Sequence, residues 1–404
     1  MEKKIIVSGV GCCLVDLLYN NINFQSEEIQ PFLSKSSGDG GLSPGKLVLL
    51  EDFERFCNNN LHDFFNVILH GHEANKINIG GPSIVSLIHA AQITQNQNCE
   101  IRFYGRAGID ENGEYLQKQL APLPVKLQDF KLIDNRTPST IVLSDPNYDN
   151  GQGERMFINA IGAAWEMHAK DLDEDFFNSE VVVFGGTAIV PGIHDKLPSL
   201  LKKAKENGCL TIINTVYDFI NEKKNPNQKW TLGETDYTYA FTDILITDAE
   251  EALRLSGCES VEAAFDFFIK TKVESVIITN GSKDIHLFSN GEVFNVKGKF
   301  VLPISELIKQ ELKISKSGDT TGCGDNFAGG LIGSVVNQLS LGISKPDLFE
   351  ALAWAVVSGG FACFYMGGTY FEEKPMEKQR KIIPYYKAYI KQLANIIQTK
   401  EVAR

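Results

Sequence analysis

The run Ser317-Gly318-Asp319-Thr320-Thr321-Gly322-Cys323-Gly324-Asp325-Asn326 leads a glycine-rich turn straight into an apolar-periodic stretch, Phe327 to Leu339. Phe327, Leu331, Val335 and Leu339 recur every fourth position, which predicts a helix that buries this stripe. Gly329-Gly330 lets a neighbour approach its first turns closely. Gly322 and Gly324 can take backbone angles closed to other residues, so consecutive N–H groups can converge on one point. The helix start adds about half a positive charge there. Such a turn is an anion hole. It suits a phosphoryl group in transfer, whose spread negative charge needs positioning and electrostatic stabilisation more than covalent chemistry. Asp325 stands where turn becomes helix, and an ionised carboxylate there could accept a hydroxyl proton. The helix N-terminus favours the ionised form, which predicts a weak base. The plainer alternative is that Asp319 and Asp325 only cap an ordinary turn.

The elements that must hold this turn follow from the pattern after residue 180. Val181 to Phe184, Leu210 to Thr215, Ile244 to Ile246 and Val276 to Thr279 read as short buried strands. Between them lie amphipathic stretches: His194 to Asn207, with Leu197, Leu200, Leu201 and Ala204 on one face, then Asp248 to Ser256 and Val261 to Lys270. Alternation of this kind implies a parallel sheet covered on both faces, with ligands at the carboxyl ends of its strands. Ile5-Ile6-Val7 entering Gly9 and Gly11 reads as a first strand, although Lys3-Lys4 before an apolar run also has the look of a signal peptide. The first 160 residues are less regular. Segments 20–75 are polar, and 100–109, 139–143 and 155–160 look like strands without intervening helices, which predicts a small β-rich appendage. Ser36 to Gly45 and Asn221 to Gln228 read as loops by composition.

Asp319-Thr320-Thr321-Gly322-Cys323-Gly324-Asp325, with Phe327 and Gly330, resembles the C-terminal signature of the ribokinase/phosphofructokinase-B carbohydrate kinases. The resemblance implies a ribokinase-like three-layer α/β/α core with a mainly parallel sheet and a small β-sheet lid. It implies an ATP-dependent kinase acting on a sugar hydroxyl, with Asp325 as base and the amides of Gly322, Cys323 and Gly324 as anion hole. Cys323 replaces the usual Ala, and its amide rather than its thiol is expected to matter. Asp16, after Gly9 and Gly11, is similar to the family's sugar-binding Asp. Gly80-Gly81, opening a helix from Ile84 to Ala91, is similar to its N-terminal glycine turn facing the substrate. Val85 stands where that signature usually has Asn. Gly105 to Gly108 with Asp110 and Gly113, and Gly153-Glu154-Arg155 running to Gly162, also look familial. Thr279, Gly281 and Ser282 resemble the turn that touches ATP, and Thr320 belongs to the nucleotide side of the signature. Asp248 and Glu251 occupy the place of the family's Asn-x-x-Glu, where Glu251 organises Mg²⁺ through water; the same spacing is also a capping box, and both readings stay open. The resemblance leaves room for a monovalent cation such as K⁺, for a nucleoside in place of the sugar, and for a homodimer formed through the lid. A non-catalytic sugar- or nucleotide-binding protein of the same fold is the alternative of a different class.

The chain of 404 residues carries 39 Lys plus Arg against 51 Asp plus Glu, a formal charge of −12 that repels nucleic acid and anionic lipid. At this length two or three domains are possible, or one large unit. The reading adopted is a single α/β domain over 1–404 with lid segments at about 17–79 and 136–161. Eight cysteines without a C-x-x-C pair point to a reducing cytoplasm, and no apolar stretch reaches the ~20 residues of a membrane span. Gly40 to Lys46 is a near miss to a nucleotide-binding P-loop, failing at Leu47 where a hydroxyl should meet Mg²⁺. His70-Gly-His72 lacks a third metal ligand and reads as two loop histidines. No G-x-G-x-x-G follows the first strand, which argues against a dinucleotide oxidoreductase.

Overall fold

The computed structural model describes residues 3–36, 38–58, 60–71, 73–151, 153–226, 228–315 and 318–402. Ser317, His72 and one residue in each of the two compositional loops, Ser37 and Asn227, lie outside the described residues. In chain order the strands are β1 (Ile5–Gly11), β2 (Leu14–Asn20), β3 (Leu47–Leu49), β4 (Lys76–Gly80), β5 (Cys99–Gly108), β6 (Lys126–Ile133), β7 (Ser139–Asp145), β8 (Glu154–Ala160), β9 (Val181–Gly185), β10 (Leu210–Asn214), β11 (Ile244–Asp248), β12 (Ser275–Thr279), β13 (Ile285–Ser289) and β14 (Gly298–Leu302). The large sheet has the order β14-β13-β12-β11-β10-β9-β1-β5-β6. It is parallel from β12 through to β6 and ends in two antiparallel strands, β13 and β14.

Alternate residues along the central strands enter different cores. Val181, Val183, Ile212, Ile244 and Ile246 pack into one cluster, whereas Val182, Phe184, Ile213 and Leu245 pack into a second. A strand with period-two side chains buried on both faces needs helices on both faces, and this is the three-layer α/β/α core. The Cys323–Ser340 helix lies in the first layer between the Pro82–Ile93 and Leu348–Ala362 helices. Its glycines make that possible. A Cβ on Gly329 would meet Ser86 O at 2.5 Å, and one on Gly330 would meet Trp354 O at 2.6 Å. The helix is therefore buried nearly all round from Asn326 to Val336, a wider contact than the single stripe expected from the four-residue spacing.

The small sheet has the order β3-β8-β7-β2-β4. Residues 20–75 wrap one of its faces with a core of their own, in which Phe24, Ile29, Phe53 and Phe64 meet Ile141, Leu143, Met156 and Ile158. Three expectations need correction. The 100–109 strand belongs to the large sheet as β5, beside β1, because it is buried on both faces and is followed by the Glu111–Leu120 helix. Residues 126–133 add β6, which the sequence reading did not identify. Asn221 to Lys224 are helical, held by an N-cap in which Asp218 accepts from the Asn221 N–H.

Candidate functional site

In the large sheet the strand order reverses around β1, with β9 on one side and β5 on the other. A crevice opens beyond the carboxyl ends at such a switch point. Gly11, Gly185, Asn214, Asp248 and Thr279 end β1, β9, β10, β11 and β12 there. The glycine-rich turn forms part of this region. Gly322 takes the left-handed conformation (φ 71°, ψ 10°) that starts the Cys323–Ser340 helix, and a Cβ on it would meet Gly368 Cα at 2.4 Å. A side chain at Gly324 would meet nothing within 4 Å, so open space lies in front of the turn. Among the described residues the N–H groups of Gly322, Gly324 and Asp325 have no partner, whereas that of Cys323 makes a long bond of 3.3 Å to Thr320 O. The orphan donors of the helix start thus include Asp325 itself beside the two glycines. The Cys323 thiol lies 3.1 Å from the Cys363 sulfur, packed against the loop that follows the Leu348–Ala362 helix.

Asp325 is half-buried, and among the described residues its carboxylate has neither hydrogen bond nor ion pair. Burial pushes it from 3.8 up to about 7. The expectation of a weak base from the helix N-terminus takes no account of this loss of water around the carboxylate, which raises its proton affinity. Asp16, buried on β2, is likewise pushed to about 7, first by burial and then by Asp325 and Asp319, against the opposing pull of Arg155 and a hydrogen bond with Thr140. The sequence-chosen Asp16 and Asp325 therefore face one cleft closely enough to repel. Gly80 makes room, since a Cβ there would fall 2.2 Å from Asp16 Oδ2. Gly81, at φ 109°, brings the chain past Cys12 O into the Pro82–Ile93 helix.

The small sheet supplies what sequence reasoning missed. Register pairs Asp16 with Asn78 on β4 and Thr140 on β7, and Thr140 with Asn159 on β8. All four are buried, forming a polar row across the face opposite the apolar core of residues 20–75. The signal was present in the sequence as polar residues at one parity of otherwise apolar strands. Two residues before Phe157 on β8, Arg155 reaches the glycine-rich turn, with Nη1 donating to Thr321 Oγ1 at 2.7 Å and Nη2 to Thr320 Oγ1 at 2.6 Å. Arg155 stood in a familial-looking segment, but only the fold shows what its guanidinium meets.

At the other end of the crevice, β11 and β12 place Asp248 beside Thr279. Gly281, at φ 55° with open space where a Cβ would point, turns the chain, and Ser282 follows it in the same exposed turn. The capping-box reading of Asp248 and Glu251 is realised: Asp248 Oδ1 accepts from the Glu251 N–H at 2.8 Å, and Glu251 Oε2 accepts from the Asp248 N–H at 3.4 Å. Glu251 does more than cap. It is buried, accepts from the Thr215 hydroxyl, and is pushed to about 8 by burial, then by Asp248, with a smaller contribution from Asp325. Among the described residues no three carboxylate, imidazole or thiol side chains gather as a direct metal cage. An all-oxygen set of mutually repelling carboxylates fits a hard cation carried on phosphates and held through water, the usual manner of Mg²⁺.

A model of the pfkB family of carbohydrate kinases matches residues 79–375. Among solved structures, adenosine kinase from Schistosoma mansoni in complex with 2-fluoroadenosine is 18% identical, with TM-score 0.66, covering 91% of this chain and 97% of that one. Adenosine kinase from Sinorhizobium meliloti is 17% identical, with TM-score 0.68, covering 94% and 99%. Ribokinase from Thermotoga maritima is 18% identical, with TM-score 0.58, covering 95% and 99%. These likenesses establish a ribokinase-like fold. Among the described residues no helix is long and apolar enough to cross a membrane.

Proposed function

The chain belongs to the pfkB family of carbohydrate kinases, and on that footing we propose that it transfers the γ-phosphoryl group of ATP to a hydroxyl of a sugar, with a nucleoside as the second acceptor class. The observation that carries this reading is the unpaired Asp325 carboxylate, raised to about 7, beside the partnerless N–H groups of Gly322 and Gly324. The cleft takes the acceptor between Asp16 and Asp325, with the buried row of Asn78, Thr140 and Asn159 extending its polar wall. Asp325 accepts the hydroxyl proton as the oxygen bonds to phosphorus and the bond to the departing ADP breaks. A base that titrates near neutrality is better matched to that task than an ordinary carboxylate. The turn amides hold the charge spread over the transferred group. Arg155, tied to Thr320 and Thr321, adds a cation at the same place and links the small sheet, a lid built from segments at about 17–79 and 136–161, to the turn. Thr279, Gly281, Ser282 and Thr320 line the nucleotide side. Asp248 and Glu251 would hold Mg²⁺ through water, and the ion would supply neutralisation of phosphate charge. The eight free cysteines suit a cytoplasmic setting.

An ATP-coupled screen across sugars, sugar phosphates and nucleosides with Mg²⁺ tests the reading. Turnover with at least one acceptor is expected, and its loss by about a thousandfold or more in Asp325→Asn. Unchanged turnover in that variant would remove Asp325 as base.

A further inference from the structure

Behind the catalytic turn lies a buried lysine that the transfer reaction does not use. Lys378, near the start of the Glu377–Val402 helix, is 1% exposed, and among the described residues it forms no salt bridge. Its ammonium donates to Asn326 Oδ1 at 2.7 Å and lies over the rings of Tyr365 and Tyr370, at 5.5 and 5.8 Å from their centroids. Burial drives its proton affinity well below that of a free lysine, and it in turn opposes protonation of the buried His89. Holding a lysine there is costly unless its partner gains something from it.

The partner is Asn326, the residue after the base. Its side-chain amide uses every bond available to it. The Nδ2 group donates to Gly322 O at 2.8 Å and to Gly368 O at 2.8 Å, while Oδ1 accepts from Lys378 and from the Tyr365 hydroxyl at 3.2 Å. Gly322 is the left-handed residue that aims the turn amides, and Gly368 lies directly behind it. Residues 366–369 are also held from the small-sheet side, where Asn78 Nδ2 donates to Met366 O and Thr369 O, and from the turn side, where the Gly367 N–H donates to Asp319 Oδ1 at 3.4 Å and the Tyr365 hydroxyl lies 3.4 Å from Gly368 O. Only Asn326 among these contacts grips Gly322 and Gly368 together, and an Asn amide left to itself can rotate. Two donors on Oδ1 fix which end of the amide faces the turn.

We propose that Lys378 is a positioning residue for phosphoryl transfer, locking the Asn326 amide so that Gly322 and the N–H groups after it are held in register for the migrating phosphate. The inference rests on the kinase reading above. It concerns kcat rather than acceptor binding, because the side-chain hydrogen bonds of Lys378 and Asn326 go to each other, Gly322, Gly368 and Tyr365, none of them a residue of the proposed acceptor wall. Misplacement of a catalytic group by about 1 Å can cost about a hundredfold in rate.

The test is Lys378→Met with the full chain. Removing a buried ammonium relieves desolvation, so a purely structural role and a positioning role separate cleanly. The expected result is a kcat lower by about tenfold or more, an acceptor KM within about twofold, and a melting temperature that does not fall. Hydrogen exchange of the segment 318–327 should quicken while the strands of the large sheet keep their protection. Combining the change with Tyr365→Phe should deepen the kcat loss, since both donors to Oδ1 are then gone. A kcat within twofold of the unaltered chain, unchanged exchange at 318–327, or a general loss of protection and melting temperature would each overturn the proposal. Failure of the kinase reading shows differently, as absence of turnover in the unaltered chain, and the exchange measurement still decides the positioning claim in that case.

Discussion

At the scale of single residues, Asp325 is governed by opposing influences. The helix start favours its ionised form, whereas burial raises its proton affinity, to about 7. Its raised value fixes the sign of two pH effects. A base must be ionised, so kcat/KM should fall about tenfold per pH unit on the acid side of pH 7, and whatever activity remains in Asp325→Asn should lack that limb. Stability runs the other way. A carboxyl whose proton affinity is higher in the folded chain contributes most below its unfolded value of about 4 and loses that contribution as pH rises through 7. Asp325→Asn should therefore match the unaltered chain in melting temperature near pH 4 and exceed it by about 2 °C or more at pH 8, as scanning calorimetry would show. A gain at pH 4 equal to that at pH 8 would mean that burial is not what holds the proton. Asp16, raised by the same burial and by Asp325 itself, loses part of its reason to hold a proton in that variant.

At the scale of elements, the proposed reaction calls on joints between segments far apart in the chain. Arg155 reaches the turn from β8, so Arg155→Ala should reduce kcat by about ten- to a hundredfold, and Arg155→Lys should recover little, because a point charge cannot bond both threonine hydroxyls at once. Steady-state kinetics on both variants would show it; equal activity in the lysine variant would make the joint electrostatic only. Glu251 joins differently, since it closes a capping box and also faces the crevice. Glu251→Gln keeps an acceptor for the Asp248 N–H and so should melt within about 2 °C of the unaltered chain. It should still lose about tenfold or more in kcat/KM for Mg·ATP, which a cap alone does not predict. These joints also mark what the sequence could reveal. The turn at Gly322 and the strand-helix alternation after residue 180 were legible because each is a local pattern of spacing and period, whereas Asp16 was picked out only by the family resemblance. The place of β5 in the large sheet was not, because an apolar strand buried on two faces reads alike in either sheet. Nor were the contacts of Arg155; Asn78, Thr140 and Asn159 left a polar residue at one parity of each strand, but only register shows that the four strands lie side by side and make them a row.

At the scale of the whole molecule, the family match ends at residue 375, yet the helix that follows is part of the core. Ile382, Tyr389 and Leu393 are buried against the first helical layer, Tyr386 stacks on Trp354 at 4.6 Å, and the Tyr389 hydroxyl donates to Pro303 O at 2.5 Å. The same helix carries Lys378 to Asn326. Residues 377–396 thus cover one side of the Leu348–Ala362 helix, which also packs on the Cys323–Ser340 helix, and a chain ending at 376 would leave that apolar side in water. Truncating a fully buried aromatic ring typically costs about 3–5 kcal/mol, a large part of the 5–15 kcal/mol by which domains are stable. Tyr389→Ala should accordingly lower the urea midpoint clearly and by more than Tyr389→Phe, which gives up one hydrogen bond of about 1 kcal/mol. The chain shortened to residue 376 should fail to give one cooperative transition. A shortened chain that unfolds cooperatively with the midpoint of the full chain would show that the helix is an addition to the fold and not a wall of it, and the route from the C-terminal segment to the catalytic turn would lose its foundation.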